Sequence, residues 1–260
     1  MSTLCEIRGV SVTYGKQPTP ALRNVDLDIF KGERLAIIGE SGSGKSTLAR
    51  ALAGLLPPAS KVTGDMRWSM GRPPQPGRDL GFVFQDPSSS LNPVLTIGEQ
   101  VAEGAKRHLG LTWNIAYVRA REMLEHVRIP QAARAMKAFP HQLSGGQRQR
   151  VAIAAALAAK PGILIADEAT SALDMVVQTE IVSLLGELVR EAGMTLIFIT
   201  HDIALASGFA DRVAIFKDGS LIEAGLTGTV LTAPGSAYTK ALIASHRDLN
   251  TPPLIREGAS

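Results

Sequence analysis

The stretch Arg34-Leu35-Ala36-Ile37-Ile38-Gly39-Glu40-Ser41-Gly42-Ser43-Gly44-Lys45-Ser46-Thr47 decides the fold. Its first five residues form a short apolar run of strand type. Gly39 to Ser46 then match the spacing G-x-x-x-x-G-K-[ST] of a phosphate-binding loop. A helix is predicted next, because Leu48, Leu52 and Leu55 recur at i, i+4 and i+7 and share one face, with Pro57-Pro58 as its stop. Glycines let a backbone wrap a phosphate where a Cβ would collide. Successive N–H groups and the helix N-terminus then face the anion. Lys45 is expected to neutralise the β- and γ-phosphates of a nucleotide, and Ser46 to ligate Mg²⁺. The bland alternative is a Gly/Ser-rich turn that happens to precede a lysine. The strand before it and the helix after it argue against that.

Upstream, Leu4 to Val12 and Leu22 to Phe30 read as strands separated by Gly15, Pro18 and Pro20. Downstream, Lys61 to Met70 reads as a strand, Arg72 to Arg78 as a loop and Leu80 to Phe84 as a β-rich run. From Ile97 to Ala159 the pattern turns helical, with Ala120, Leu124 and Val127 on one face and Pro130 and Pro140 as breaks. Ile163 to Ala166 and Thr195 to Thr200 are buried-type strands flanking a helical Val176 to Glu191, the alternation of a parallel α/β core. Val213 to Lys217 and Leu221 to Ala224 flank Asp218-Gly219, a hairpin signal. The tail from Asn250 is polar and proline-rich and is expected to be loose.

Two further stretches carry chemistry. Ile163-Leu164-Ile165-Ala166-Asp167-Glu168 is an apolar strand ending in two acids, a costly arrangement unless the acids have partners or a task. Beside a phosphate loop, Asp167 suits a Mg²⁺ holder and Glu168 the base that polarises an attacking water. Read alone, two acids at a strand end are more often a solvated turn. Leu143-Ser144-Gly145-Gly146-Gln147 opens a helix expected from Arg148 to Ala159, and its small residues make a second anion-binding end. The plain alternative is a helix cap by Ser144.

The bulk properties set the bounds. The chain has 260 residues, 45% apolar and 20% charged, which suits one large α/β domain with an inserted part. A net charge of +3 points neither to nucleic acid nor to an anionic membrane surface. Cys5 is the single cysteine, which excludes an internal disulfide and a cysteine-rich metal cluster. No apolar run approaches the ~20 residues needed to span a bilayer. The best, Val151 to Ala159, is flanked by Arg150 and Lys160. Met1 to Arg8 carries Glu6 and has no apolar core, so no signal peptide is expected there. A membrane task would need other chains to supply the membrane part.

Leu143 to Gln147 resembles the signature sequence of ABC-type ATPases, and the motif order is theirs: phosphate loop, Gln85, signature, Asp167-Glu168, Ser171-Ala172-Leu173-Asp174, His201. The resemblance runs from about Leu4 to Ala244. It implies an α/β fold with a RecA-like phosphate-loop core, an N-terminal antiparallel β subdomain and an inserted α-helical signature subdomain. It implies an ATPase domain over residues 1–245 (core 1–85 and 160–245, helical subdomain 86–159) and a short tail over 246–260. In the family two ATPase domains pair head to tail, each ATP lying between one phosphate loop and the other domain's signature. By resemblance, ATP is bound by Tyr14, which stacks on adenine, by Gly39, Glu40, Ser41, Gly42, Ser43, Gly44, Lys45, Ser46 and Thr47, and across the seam by Ser144, Gly145, Gly146, Gln147 and Asp174. Glu168, His201 and Gln85 take the catalytic roles, and Ser46, Gln85 and Asp167 hold Mg²⁺. Ala169 departs from the proline common in the family.

Gln85 to Pro93 (QDPSSSLNP), Pro140-His141-Gln142-Leu143 and Ala237-Tyr238-Thr239-Lys240-Ala241-Leu242 resemble the ATPases of dipeptide, oligopeptide and nickel importers. That implies ATP hydrolysis coupled to uptake of short peptides or nickel. The partners would be a second ATPase subunit (copy or paralogue), two transmembrane permease subunits and an external solute-binding protein. The chain would lie on the cytoplasmic face of the inner membrane, as a peripheral subunit without nucleic acid. The short Gly64 to Gly81 segment departs from that group. An exporter motor, a DNA-repair or chromosome ATPase, a translation-linked ATPase and a regulator without turnover are the alternatives. The absence of long heptads, the single motif set and the presence of Glu168 weigh against the last three.

Overall fold

The apolar run at residues 34–38 becomes β3 (Arg34–Ile38), a strand with four of its five residues buried. The computed structural model describes residues 2–15, 17–170 and 173–247. In chain order the strands are β1 (Thr3–Tyr14), β2 (Leu22–Phe30), β3, β4 (Ser60–Trp68), β5 (Leu80–Val83), β6 (Ile163–Asp167), β7 (Thr195–Thr200), β8 (Arg212–Lys217) and β9 (Ser220–Leu226). The helices are α1 (Lys45–Ala53), α2 (Pro87–Ser90), α3 (Ile97–Leu109), α4 (Trp113–His126), α5 (Ala132–Ala135), α6 (Gly145–Leu157), α7 (Met175–Ala192), α8 (Ile203–Ser207), α9 (Thr227–Thr232) and α10 (Ala237–Arg247). Two units divide the chain: Met1–Pro74 with Met194–Ser260, and Gln75–Gly193.

In the first unit, β2, β1 and β4 make an antiparallel sheet in that order. A second sheet carries β3 between parallel neighbours β7 and β8, with β9 antiparallel to β8. β3 and β7 are buried on both faces, which is why they are apolar rather than alternating. Asp218 and Gly219 both have positive φ, 49° and 80°, as a tight two-residue hairpin turn requires. Under the sheet, Ala36, Ile38, Ile203, Ala206, Val213, Ile215, Val230 and Ile243 form one buried cluster.

In the second unit, β5 and β6 pair in parallel, and the helical stretch lies between them in sequence. The expected face on α4 is buried through Ala120 and Leu124, and Val127 just past its end is buried with them. Among the described residues no helix is long and apolar enough to cross a membrane.

Two predicted helix bounds shift. α1 ends at Gly54, a left-handed cap with φ 66°, not at Pro57, so Leu55 leaves the buried face and is 37% exposed. The signature helix starts at Gly145, three residues before Arg148, because Ser144 caps it. The tail residues 250–260, and Ser171 and Ala172 of the motif before α7, lie outside the described residues.

Candidate functional site

The phosphate loop follows β3 in the first unit, and its glycines are dictated by space and conformation. A Cβ on Gly39 would lie 2.3 Å from the Phe216 carbonyl oxygen, and one on Gly44 (φ 95°) 2.6 Å from that of Ala21. Lys45 is 3% exposed, and its ammonium donates to the backbone oxygens of Gly39 and Glu40, each at 2.8 Å. The N-terminus of α1 has no side-chain cap and no acidic residue in its first turn. Ser43 Oγ is buried without a hydrogen-bond partner. A buried ammonium, an uncapped helix start and an orphaned hydroxyl in one loop suit a polyphosphate, which accepts from all three kinds of donor.

Around that loop stand two more predicted residues. Tyr14 ends β1, and its hydroxyl donates to Thr47 Oγ1 at 3.1 Å, which fixes the ring at the first turn of α1. His201 follows β7 and is exposed. The register Ile38↔Thr200 sets it beside Gly39 at the carboxyl ends of two parallel strands, where ligands of such sheets bind. Asp202 turns the chain there: its carboxylate accepts from Ala204 N and Leu205 N at 2.7 and 3.2 Å.

The acidic pair belongs to the second unit. Asp167 is the last residue of β6 and is 4% exposed. Glu168 follows with φ 46°, a left-handed conformation that costs a non-glycine residue about 1–2 kcal/mol. The register Val83↔Ala166 places Gln85 across from Glu168, and Gln85 Nε2 donates to Glu168 Oε2 at 3.1 Å.

At the start of α6, Ser144 accepts from Gln147 N at 3.2 Å while Gln147 Oε1 accepts from Ser144 N at 3.0 Å. This reciprocal cap leaves Ser144 exposed. Gly146 is small for a packing reason, since a Cβ there would lie 2.8 Å from Val177 Cγ1 of α7. Asp174 is exposed and caps α7, accepting from Val177 N at 3.0 Å. The structure thus joins Tyr14 to Thr47, Gln85 to Glu168, and Ser144 to Gln147.

One contact on the loop has no sign in the sequence. Tyr238 on α10 donates to Glu40 Oε1 at 3.1 Å, and Lys217 Nζ sits 4.7 Å from the Tyr238 ring centroid. The sequence marks residues 237–242 only by group resemblance, because no spacing rule links positions 198 apart.

A phosphate loop after a central parallel strand, with a strand-end acid pair and a capped Gly-rich helix start, defines a nucleotide-binding α/β cassette. The chain belongs to the ABC transporter family, whose model matches residues 22–171. It is 40% identical over 273 residues to the peptidoglycan transport ATP-binding protein YejF of Agrobacterium fabrum, covering 97% of this chain and 50% of that protein. It is 42% identical over 252 residues to the glutathione import ATP-binding protein GsiA of Escherichia coli, covering 91% of this chain and 40% of that protein. The chain thus spans half or less of the length of these curated relatives. Among solved structures, the dimeric post-hydrolysis state of the ATP-binding cassette MJ0796 bound to ADP and Pi matches with a TM-score of 0.75 and 34% identity, over 86% of this chain and 99% of that one. CbiO1 from Clostridium perfringens, part of the ABC transporter complex cbiONQ, matches with a TM-score of 0.75 and 31% identity, over 90% and 92%. The fold is that of an ATP-binding cassette.

Proposed function

We propose that this chain binds and hydrolyses ATP as the motor subunit of an importer whose membrane passage is built by separate permease subunits. The observation that carries the reading is the Gly39–Ser46 loop, with its buried Lys45 ammonium, orphaned Ser43 hydroxyl and uncapped helix start. Backbone N–H groups of the loop bind the phosphates, Lys45 exchanges its carbonyl partners for phosphate oxygens, and Tyr14 stacks on adenine. Glu168 accepts a proton from the attacking water, with Gln85 orienting its carboxylate, and His201 contacts the γ-phosphate. Bound Mg²⁺, held by Ser46, Gln85 and Asp167, would neutralise charge developing on the transferred phosphoryl group. One carboxylate plus substrate phosphates and waters is an ordinary Mg²⁺ site. Among the described residues no group of three or more His, Cys, Asp or Glu is placed to hold a metal ion.

Residues 1–245 act as one ATPase domain, with 86–159 as its helical signature subdomain. The domain pairs with a copy or a paralogue through the Ser144–Gln147 helix start and Asp174, at the cytoplasmic face of the membrane. An external binding protein delivers the cargo. The names of the relatives, glutathione import and peptidoglycan transport, favour a small peptide-like cargo over nickel. Deletion of the gene should abolish uptake of labelled glutathione or of a dipeptide. A plasmid copy should restore uptake, and a Lys45→Ala copy should not. Normal uptake of both, with nickel uptake lost, would reassign the cargo. A purified chain that neither binds nor hydrolyses Mg–ATP would overturn the motor reading itself.

A further inference from the structure

Glu40 is the second residue of the phosphate loop, and its side chain is exposed. A carboxylate there is a like charge to any phosphate the loop receives and a natural partner for the nearby Lys45 ammonium, which already takes the Glu40 backbone oxygen at 2.8 Å. The Glu40 carboxylate is held from outside the loop. Tyr238 Oη donates to Glu40 Oε1 at 3.1 Å. Tyr238 is on α10, which is anchored through Ile243 in the cluster with Ala36, Ile38, Ile203 and Ile215, and the Tyr238 ring packs on that cluster. Lys217 lies over the ring, 4.7 Å from its centroid, and a cation on the ring face makes the phenol a stronger donor. The same hairpin walls the loop, since Phe216 O faces Gly39 and Gly219 N donates to Ser43 O at 3.2 Å. Loop, hairpin and α10 are therefore one bonded set.

We propose that Tyr238 is a positioning residue for the phosphate loop: its hydroxyl holds the Glu40 carboxylate away from the groups that receive phosphate, so that α10 sets nucleotide affinity. The consequence is electrostatic. A released Glu40 carboxylate competes with phosphate for Lys45 and for the loop N–H groups. Burial, and then the hydrogen bond to Glu40, raises the Tyr238 pKa, so the phenol keeps its donor proton at neutral pH.

The proposal rests on the nucleotide reading above, and the test separates the two. In the full chain, Tyr238→Phe is expected to weaken Mg–ATP binding about three- to tenfold, the scale of one ordinary hydrogen bond. KM for ATP should rise with it and kcat should stay within about twofold. Adding Glu40→Gln to that variant should restore affinity, because the competing charge is gone. A merely structural role would instead lower the melting temperature and would not respond to the second change. Glu40→Gln alone is the reference for the double variant, and adding Tyr238→Phe to it should change affinity by less than about twofold. Normal wild-type binding with unchanged affinity in Tyr238→Phe overturns this proposal alone. So does a loss that Glu40→Gln fails to restore, or a loss of about twofold or more when Tyr238→Phe is added to Glu40→Gln. Failure of the wild-type chain to bind ATP overturns the nucleotide reading and this proposal with it.

Discussion

Gln85 Nε2 lies 3.1 Å from Glu168 Oε2 and donates to it, tying together the ends of two adjacent parallel strands. One oxygen of the carboxylate is thereby fixed by a neutral amide, which leaves its charge intact for the base role proposed for it. Glu168→Gln keeps the size and removes the proton acceptor. Turnover of ATP should fall by ~10²–10⁴, the usual contribution of a general base, while nucleotide binding persists. Steady-state hydrolysis and equilibrium titration on the same preparation check this. Near-normal turnover would remove Glu168 from its role.

Lys45 offers the complementary case. Its ammonium is buried and bonded to two loop carbonyls, so truncation removes both the charge and the loop's internal brace. Lys45→Ala should weaken Mg–ATP binding at least about tenfold, equivalent to roughly 1.4 kcal/mol, in line with loss of a charge-assisted contact. Titration calorimetry or a fluorescent nucleotide analogue reads the affinity. Equal affinities would mean that the Gly39–Ser46 loop is not the phosphate site.

Much of this arrangement is legible in the sequence where a local rule governs it. The spacing from Gly39 to Ser46, the apolar runs of β3 and β7 and the Asp218-Gly219 turn each follow from backbone sterics within a few residues. The end of α1 departs from the expected one because Leu55 keeps the helical period, whereas Gly54, free to take φ 66°, stops the helix first. Position 146 is glycine because α7 passes close by, and that is a tertiary fact with no local sign. The Tyr238–Glu40 bond is likewise invisible, since it joins two exposed-looking polar positions from opposite ends of the chain.

Gly146→Ala tests the packing argument. The new methyl would stand 2.8 Å from Val177 Cγ1, and valine, branched at Cβ, has little freedom to retreat. α6 must shift from α7, at about 1–2 kcal/mol for an overpacked contact. That corresponds to a fall of roughly 2–8 °C in melting temperature for a domain of this size. Differential scanning calorimetry without nucleotide isolates the effect from binding. A melting temperature raised by the better helix former would show that the contact relaxes freely.

The ion pair between Arg34 and Asp211 predicts a specific pH dependence. Arg34 opens β3, the strand that leads into the phosphate loop, and Asp211 precedes β8. The guanidinium donates to Asp211 Oδ1 at 2.8 Å and to Oδ2 at 3.3 Å, and Arg34 N donates to Oδ2 at 2.8 Å. Burial pushes the Asp211 pKa up, but the bonds from Arg34 outweigh it, so the carboxyl titrates below its ordinary value. A group depressed in the folded state adds stability that is fully present above its unfolded pKa of about 3.9. That stability is lost as pH falls through the lower, folded value. Asp211→Asn keeps the shape but cannot carry the charge. It should be less stable than wild type by about 1–2 kcal/mol at pH 7, the scale of a partly exposed, charge-assisted bidentate pair. The difference should hold down to about pH 5 and then shrink as the wild-type carboxyl protonates below about pH 4. Urea denaturation of both proteins at pH 7, 5, 4 and 3 gives the comparison. A gap that stays constant down to pH 3 would mean that the stabilisation comes from hydrogen-bond geometry rather than charge, because an asparagine would then lose as much against a protonated aspartate as against an ionised one.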